Sequence, residues 1–147
     1  MGNAFNVLHL TEDAAGESRF TEFDLSLHEI AFAPPAHPFL VSPTMSAKGY
    51  VAIRIPVGWA GAMHRSPHRQ ILFCLSGALK VTASDGEVRL VEAGSVWQME
   101  DVSGKGHWSE VATPIPFDAV IILLESGSRT ESQATMAAGE LGDRPRA

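Results

Sequence analysis

Residues 58–77 read GWAGAMHRSPHRQILFCLSG, and this stretch decides the fold. A glycine opens it, His64 follows after six residues, Gln70 after six more, and Gly77 closes it. Between Gln70 and Gly77 the sequence is apolar at nearly every position, which predicts a strand with apolar side chains on both faces. Such a strand lies between two layers or at a contact between subunits.

Apolar runs separated by turn-forming residues continue on both sides of this stretch. From Tyr50 to Leu124, short apolar runs alternate with Gly, Pro, Asp and Ser, which is typical of an all-β sandwich or barrel. Asp85 and Gly86 form the strongest local turn signal and predict a hairpin with a two-residue type I′ turn. The predicted strands are Gly49–Pro56, Arg69–Ser76, Ala78–Ser84, Glu87–Val91, Ser95–Met99, Gly106–Val111 and Phe117–Leu124.

Composition narrows the class of protein. The chain has 147 residues, 45% hydrophobic and 19% charged, with a net charge of −6 and one cysteine, Cys74. These values predict a single globular domain with no internal disulfide. Basic residues are scattered, so nucleic acid is not an expected partner. No apolar run is long enough to span a membrane, and no secretory leader is evident. We therefore expect no membrane partner and a cytoplasmic location.

Two spacings resemble known motifs. Gly58 to Gly77 is similar to the first cupin motif, G-x5-H-x-H-x3-4-E-x6-G, and Gly86 to Asp101 is similar to the second, G-x5-P-x-G-x2-H-x3-N. The chain also resembles small bacterial cupins whose first motif reads H-x-x-P-x-R-Q and whose second ends D-x-x-G-K-G-H. The resemblance implies an all-β cupin double-stranded β-helix, a jelly-roll barrel.

The resemblance also implies a metal site, but most of its ligands are replaced. The family commonly uses three histidines and one glutamate, and of these only His64 is retained, with Ser66, Gln70 and Trp97 at the other positions. We therefore expect either no metal or a divalent ion (Zn, Fe, Mn or Ni) at a displaced site of His64, His68 and His107. The alternative interpretation is that His68 is a solvent-facing loop residue and His107 a hydrogen-bonded structural histidine. Lys105 lies in a G-K-G-H run that lacks the frame of a phosphate loop.

Without a metal, these residues favour proton transfer. The expected catalytic residues are His64 as a neutral base, Gln70 and His107, which suits an isomerase, epimerase or lyase acting on a carbonyl or carboxylate compound. The expected binding residues for this small molecule are Ser66, His68, Arg69, Cys74, Trp97 and Met99. The alternatives are a non-catalytic metabolite-binding or sensory barrel, a barrel filled by its own side chains, and, from the resemblance, a metal-dependent dioxygenase.

The remaining segments are predicted to flank the barrel. Residues 1–48 form an N-terminal arm with edge strands, residues 49–125 the barrel, and residues 126–147 a flexible tail with one helical turn near 134–141. The proline-rich part of the arm, residues 31–43, is expected to be extended. Ile71 and Phe73 are candidate interface residues of a homodimer.

Overall fold

A computed structural model of the chain describes residues 2–125. The predicted tail and its helical turn lie outside these residues. Residues 2–125 contain eleven strands and no helix, and therefore no helix that could cross a membrane. The strands are β1 (Ala4–Glu12), β2 (Ser18–Ser26), β3 (His28–Ile30), β4 (Phe39–Val41), β5 (Ala47–Ile55), β6 (Gln70–Ser76), β7 (Ala78–Ala83), β8 (Val88–Glu92), β9 (Val96–Met99), β10 (His107–Val111) and β11 (Phe117–Leu124).

The strands form one large and one small sheet. Six of them pair in the order β2-β1-β9-β6-β11-β5, and three pair in the order β10-β7-β8. All seven strands predicted between residues 49 and 124 are present, with ends that shift by at most two residues. The sequence analysis assigned residues 1–48 only edge strands, whereas β1 lies inside the large sheet, parallel to β9.

One hydrophobic cluster joins the two sheets. From the large sheet it takes the inward row of β6, with Leu72 and Cys74, and the paired residues Trp97 and Met99 of β9. From the small sheet it takes side chains of β7 and β8, including Val81. Burial of this size is the dominant favourable term in folding such a domain. The face of β6 that carries Leu72 and Cys74 is therefore the one that packs into the core.

The hairpin at Asp85 is confirmed, but its predicted turn type is wrong. The amide of Ala83 donates to the carbonyl of Glu87 (2.9 Å), so the loop has three residues, 84–86. Gly86 has a φ of 98°, and no residue other than glycine in the described chain has a positive φ. A type I′ turn needs positive φ at two positions, whereas a three-residue loop needs one, which only Gly86 supplies.

The chain divides into two compact units, which are described separately. The larger consists of Val7–Phe23 and Ala47–Glu125. The smaller contains, among the described residues, 2–6 and 24–46. In the smaller unit β3 and β4 pair antiparallel, so the proline-rich segment is mostly a hairpin loop and not a fully extended arm, and Pro34–Pro35 is a cis peptide within it.

Candidate functional site

The site begins where the first motif crosses the strand that follows the second. His64 and His107 form an isolated antiparallel bridge, with His64 N to His107 O at 2.9 Å and His107 N to His64 O at 2.8 Å. Gly106 makes this approach possible, because a Cβ there would lie 2.2 Å from the His64 carbonyl oxygen and its φ is 82°. The backbone thus brings together two histidines that are 43 residues apart in sequence.

Asp101 is the centre of the polar network at this crossing. Its side chain is fully buried, and each carboxylate oxygen has a hydrogen-bond partner. Oδ1 accepts from the Ser66 hydroxyl at 2.7 Å, and Oδ2 lies 2.5 Å from Nδ1 of His107. Ser66 and His107 are themselves only 3% and 2% exposed. A buried carboxylate is tolerable because donors satisfy both of its oxygens.

The histidine tautomer follows from this bonding. A carboxylate only accepts, so the hydrogen between Asp101 and His107 resides on Nδ1 of the imidazole. In the neutral ring Nε2 then carries the lone pair. The ring also contacts Trp97 edge-on, with centroids 5.5 Å apart. His107 is therefore held in one orientation by a carboxylate and by an aromatic neighbour.

His64 lies against His107 but faces the surface. The two ring centroids are 4.6 Å apart and the rings are tilted by 57°. Nδ1 of His64 donates to the carbonyl of Ala62 at 2.8 Å, which again leaves Nε2 as the acceptor in the neutral ring. One imidazole of the pair is thus buried beside Asp101, and the other is exposed.

Three other predicted site residues belong to the core. Cys74, Trp97 and Met99 are between 2% and 4% exposed and lie in the hydrophobic cluster. Burial raises the pKa of the Cys74 thiol, since the thiolate would lose its hydration. Trp97 Nε1 is buried and has no hydrogen-bond acceptor in the described chain.

Gln70 is buried on the same inward row of β6. Its amide Nε2 lies 3.5 Å from the sulfur of Met99, the paired residue on β9. Within residues 2–125 no hydrogen bond joins it to His64 or His107. The two histidines are joined by their backbone bridge, and the catalytic role expected for Gln70 stays a prediction.

Arg69 belongs to a separate polar cluster. It precedes the inward Gln70, and its Nε donates to Glu100 Oε1 at 2.7 Å while Nη1 donates to the carbonyl of Glu125 at 2.6 Å. His9 pairs with the second oxygen of Glu100. Within the described residues no hydrogen bond joins Arg69 to His64 or His107. His68 is exposed on the loop before it.

The donor set does not fit the metal centre of the resembling family. Of the substituted positions, Ser66 is bonded to Asp101, Gln70 lies against Met99, and Trp97 offers no lone pair. Residues 2–125 contain no cluster of three or more His, Cys, Asp and Glu side chains that could hold an ion. The displaced set of His64, His68 and His107 is therefore not gathered around one point.

Asp101 is the site residue that the sequence analysis missed. The sequence analysis named it only as the last residue of the second motif, at the position of the asparagine. The run from Asp101 to His107 contained the usable signal, because an acid and a histidine six residues apart across two glycines can fold back on each other. Ser66 was expected to bind substrate, and it binds Asp101 instead.

Comparisons with known proteins give matches among solved structures alone. No protein-family model matches the chain, and neither does any curated protein sequence. A cupin 2 conserved barrel domain protein from Salinispora arenicola CNS-205 is 15% identical, covering 79% of this chain and 84% of its own, with a TM-score of 0.43. The cupin domain of Cnp3 from Schizosaccharomyces pombe is 10% identical, with coverages of 99% and 98% and a TM-score of 0.40. A protein from Neisseria meningitidis, NMB1881, is 17% identical, with coverages of 52% and 72% and a TM-score of 0.41.

The fold assignment follows from the chain's own strand order. The first motif leads into β6 and ends at the turn before β7, and the second runs from the turn before β8 through β9 to Asp101. Both motifs meet where Ser66 binds Asp101, and the two sheets share one core. The predicted all-β architecture, with two sheets around one core, is therefore confirmed.

Proposed function

We propose that the protein is a small-molecule enzyme that transfers a proton next to a carbonyl or carboxylate group, with Asp101 and His107 as its acid–base pair. One observation carries the proposal. Asp101 is fully buried, and it orients the equally buried His107 through Nδ1 at 2.5 Å. A carboxylate that fixes the tautomer of an imidazole is the arrangement by which general bases are commonly positioned.

His64 gives the proton a route to solvent. Its exposed ring lies 4.6 Å, centroid to centroid, from that of His107. A proton taken up at Nε2 of His107 would pass to His64, directly or through one water, and leave at the surface.

The bonding of Ser66 argues against acyl transfer. A catalytic serine must give its proton to the imidazole of the base. Here the Ser66 hydroxyl donates to the carboxylate of Asp101, and no hydrogen bond joins it to His107 in the described residues. Ser66 therefore orients Asp101 and is not a nucleophile, which leaves proton transfer as the chemistry that the three residues support.

Metabolite binding without turnover is the second candidate function. Leu72, Cys74, Trp97 and Met99 fill the inward row with exposures of at most 4%, so this chain's own side chains take up the space around them. A ligand would then bind at the rim beside His64. This function needs the exposed imidazole but not the buried acid–base pair.

The test is hydrogen exchange at carbon in D2O. A panel of small keto acids and carboxylic acids is incubated with the protein, and loss of the C–H signal beside the carbonyl is followed by proton NMR. Replacing His107 by Asn keeps a donor near the Nδ1 position and removes Nε2, so the rate should fall by about 10²–10⁴-fold. His28→Asn, at an exposed histidine of β3, is the matched control and should leave the rate unchanged.

Two outcomes would reject the enzyme proposal. Exchange that survives His107→Asn would assign the chemistry to another group. Saturable binding of a panel member without exchange by the wild-type protein would instead support the metabolite-binding function, and His64→Asn should then weaken the binding.

A further inference from the structure

The loop between Asp101 and His107 is held by a second turn of the larger unit. This turn, residues 13–17, joins β1 to β2 and is closed by its own hydrogen bonds. Asp13 Oδ1 accepts from the amides of Ala15 (2.9 Å) and Glu17 (3.0 Å), and its backbone carbonyl accepts from Gly16 N at 3.0 Å. The bond from the Glu17 amide contributes most to lowering the pKa of Asp13.

Glu12, the last residue of β1, binds the start of the loop. Its Oε1 accepts from the Ser103 amide at 2.9 Å and from the Ser103 hydroxyl at 2.7 Å, while its Oε2 accepts from the Gly104 amide. Three donors on one carboxylate form a small anion cradle of the loop backbone, filled by the chain's own side chain. The backbone donors at the start of the loop are therefore already engaged by Glu12.

The rest of the loop is hydrogen-bonded to residues 16 and 18. The Lys105 amide donates to the Gly16 carbonyl at 2.8 Å, and the Gly106 carbonyl accepts from the buried Ser18 hydroxyl at 2.6 Å. A Cβ on Gly104 would lie 2.3 Å from the Gly16 carbonyl oxygen, so the two backbones touch. Each residue from 103 to 106 thus has a contact with residues 12–18.

From this arrangement we infer that Glu12 is a positioning residue for the Asp101–His107 pair. The inference rests on the proposed function, because it concerns the same acid–base pair. Asp101 and His107 are the two ends of the loop, so the distance between them depends on the path of residues 102–106. An ionised carboxylate can satisfy all three donors at the loop's start, whereas an amide has one acceptor atom and must place its NH2 group against a donor.

The experiment follows the site without a substrate. Glu12→Gln and Glu12→Ala are compared with wild type by amide hydrogen exchange and by the proton NMR signal of His107 Nδ1–H. We expect Glu12→Ala to speed exchange of the Lys105 and His107 amides at least about tenfold, equivalent to about 1.4 kcal/mol of local opening, and to broaden the Nδ1–H signal. Glu12→Gln should give a smaller change in the same direction.

Two control variants separate positioning from general stability. Glu22→Gln removes a carboxylate of the same hairpin that pairs with Arg89 on the surface, and it should leave both signals unchanged. Ser103→Ala removes one of the three donors but keeps the backbone, and it should produce a part of the Glu12→Ala effect.

The inference is overturned if Glu12→Ala leaves the Nδ1–H signal and both amides as in wild type. It is also overturned if exchange rises equally at all amides, since this would show a loss of global stability alone. Neither readout depends on activity. A His107→Asn protein that still exchanges substrate protons would therefore reject the proposed function and leave this result standing.

Discussion

Asp101 joins residues from distant parts of the sequence. Its buried carboxylate accepts from Ser66 of the first motif and is bonded to His107 of the strand after the second. The two motifs are therefore held together by the hydrogen bonds of one side chain.

Removing the Ser66 hydroxyl should be costly because of what it leaves behind. In Ser66→Ala a buried oxygen of Asp101 loses its donor, and an unsatisfied buried acceptor costs about 1–3 kcal/mol. Urea unfolding followed by tryptophan fluorescence would measure this loss. Ser46→Ala, at an exposed serine, is the matched control and should stay within about 0.5 kcal/mol of wild type. Equal stability of both variants would show that Asp101 does not depend on Ser66.

Cys74 should behave as a core residue. It is 4% exposed, and burial raises the pKa of its thiol. In the folded protein a reagent therefore rarely reaches the sulfur, and little of the cysteine is in the reactive thiolate form. We expect a thiol reagent at pH 8 to label native protein far more slowly than protein unfolded in urea, with the rate set by opening of the fold. Mass spectrometry of the labelled chain gives both rates. Rapid labelling of native protein would mean that the inward face of β6 is open to solvent.

At the scale of elements, the crossing of His64 and His107 depends on Gly106. Alanine there would combine a positive φ with a Cβ 2.2 Å from the His64 carbonyl oxygen. Gly94→Ala separates the two effects, because Gly94 has a φ of 89° but no atom within 4 Å of its added Cβ. We expect Gly94→Ala to cost about 1–2 kcal/mol and Gly106→Ala clearly more, measured by urea unfolding. Equal costs would contradict the close contact.

Local chemistry explains how much the sequence predicted at this scale. The strands were predictable because alternation and turn residues act within a few positions, as at the hairpin of Asp85 and Gly86. The pairing of β1 beside β9 was not, because Leu8 and Trp97 are 89 residues apart and nothing local indicates their register. Arg69 was misplaced for a related reason, since its partner Glu100 lies on another strand.

The sequence also predicted part of the candidate site. His64 was found because it lies in a recognisable motif, and the expectation that His107 would join it was met by the backbone bridge. Asp101 was missed because an aspartate in a glycine-rich turn ordinarily lies in solvent. Its burial depends on a serine 35 residues earlier, which is a tertiary effect.

For the molecule as a whole, the expected homodimer stays a prediction. Homodimerisation was inferred from the two apolar faces of β6. Ile71 is already buried within the chain, at 7% exposure, and Phe73 is half-buried, which leaves Leu75 at 63% as the exposed member of the outward row. Sedimentation equilibrium over a range of concentrations would measure the oligomeric state directly.

Acid should destabilise the whole molecule through carboxylates that are bonded in the folded state. Hydrogen bonds from Arg54 lower the pKa of Asp118 below its ordinary value of 3.8, and a bond from the Ser84 hydroxyl lowers that of Glu17 below 4.5. A lowered pKa means that the folded state holds its charged form more strongly than the unfolded state does. The resulting stability is present above the ordinary value and is lost as the pH falls through the folded one.

Asp118→Asn isolates one of these contributions at the pairing of β5 with β11. Arg54 and Asp118 face each other across these strands with bonds of 2.8 and 2.9 Å. The difference in free energy of unfolding between wild type and Asp118→Asn should be constant from about pH 5 to 7 and shrink below about pH 4. Urea unfolding at four pH values measures it, with Asp85→Asn at the exposed hairpin as the control. A difference that persists unchanged to about pH 3 would mean that the pair gains nothing from the charge of Asp118, and that the strands are held by their ladder and packing alone.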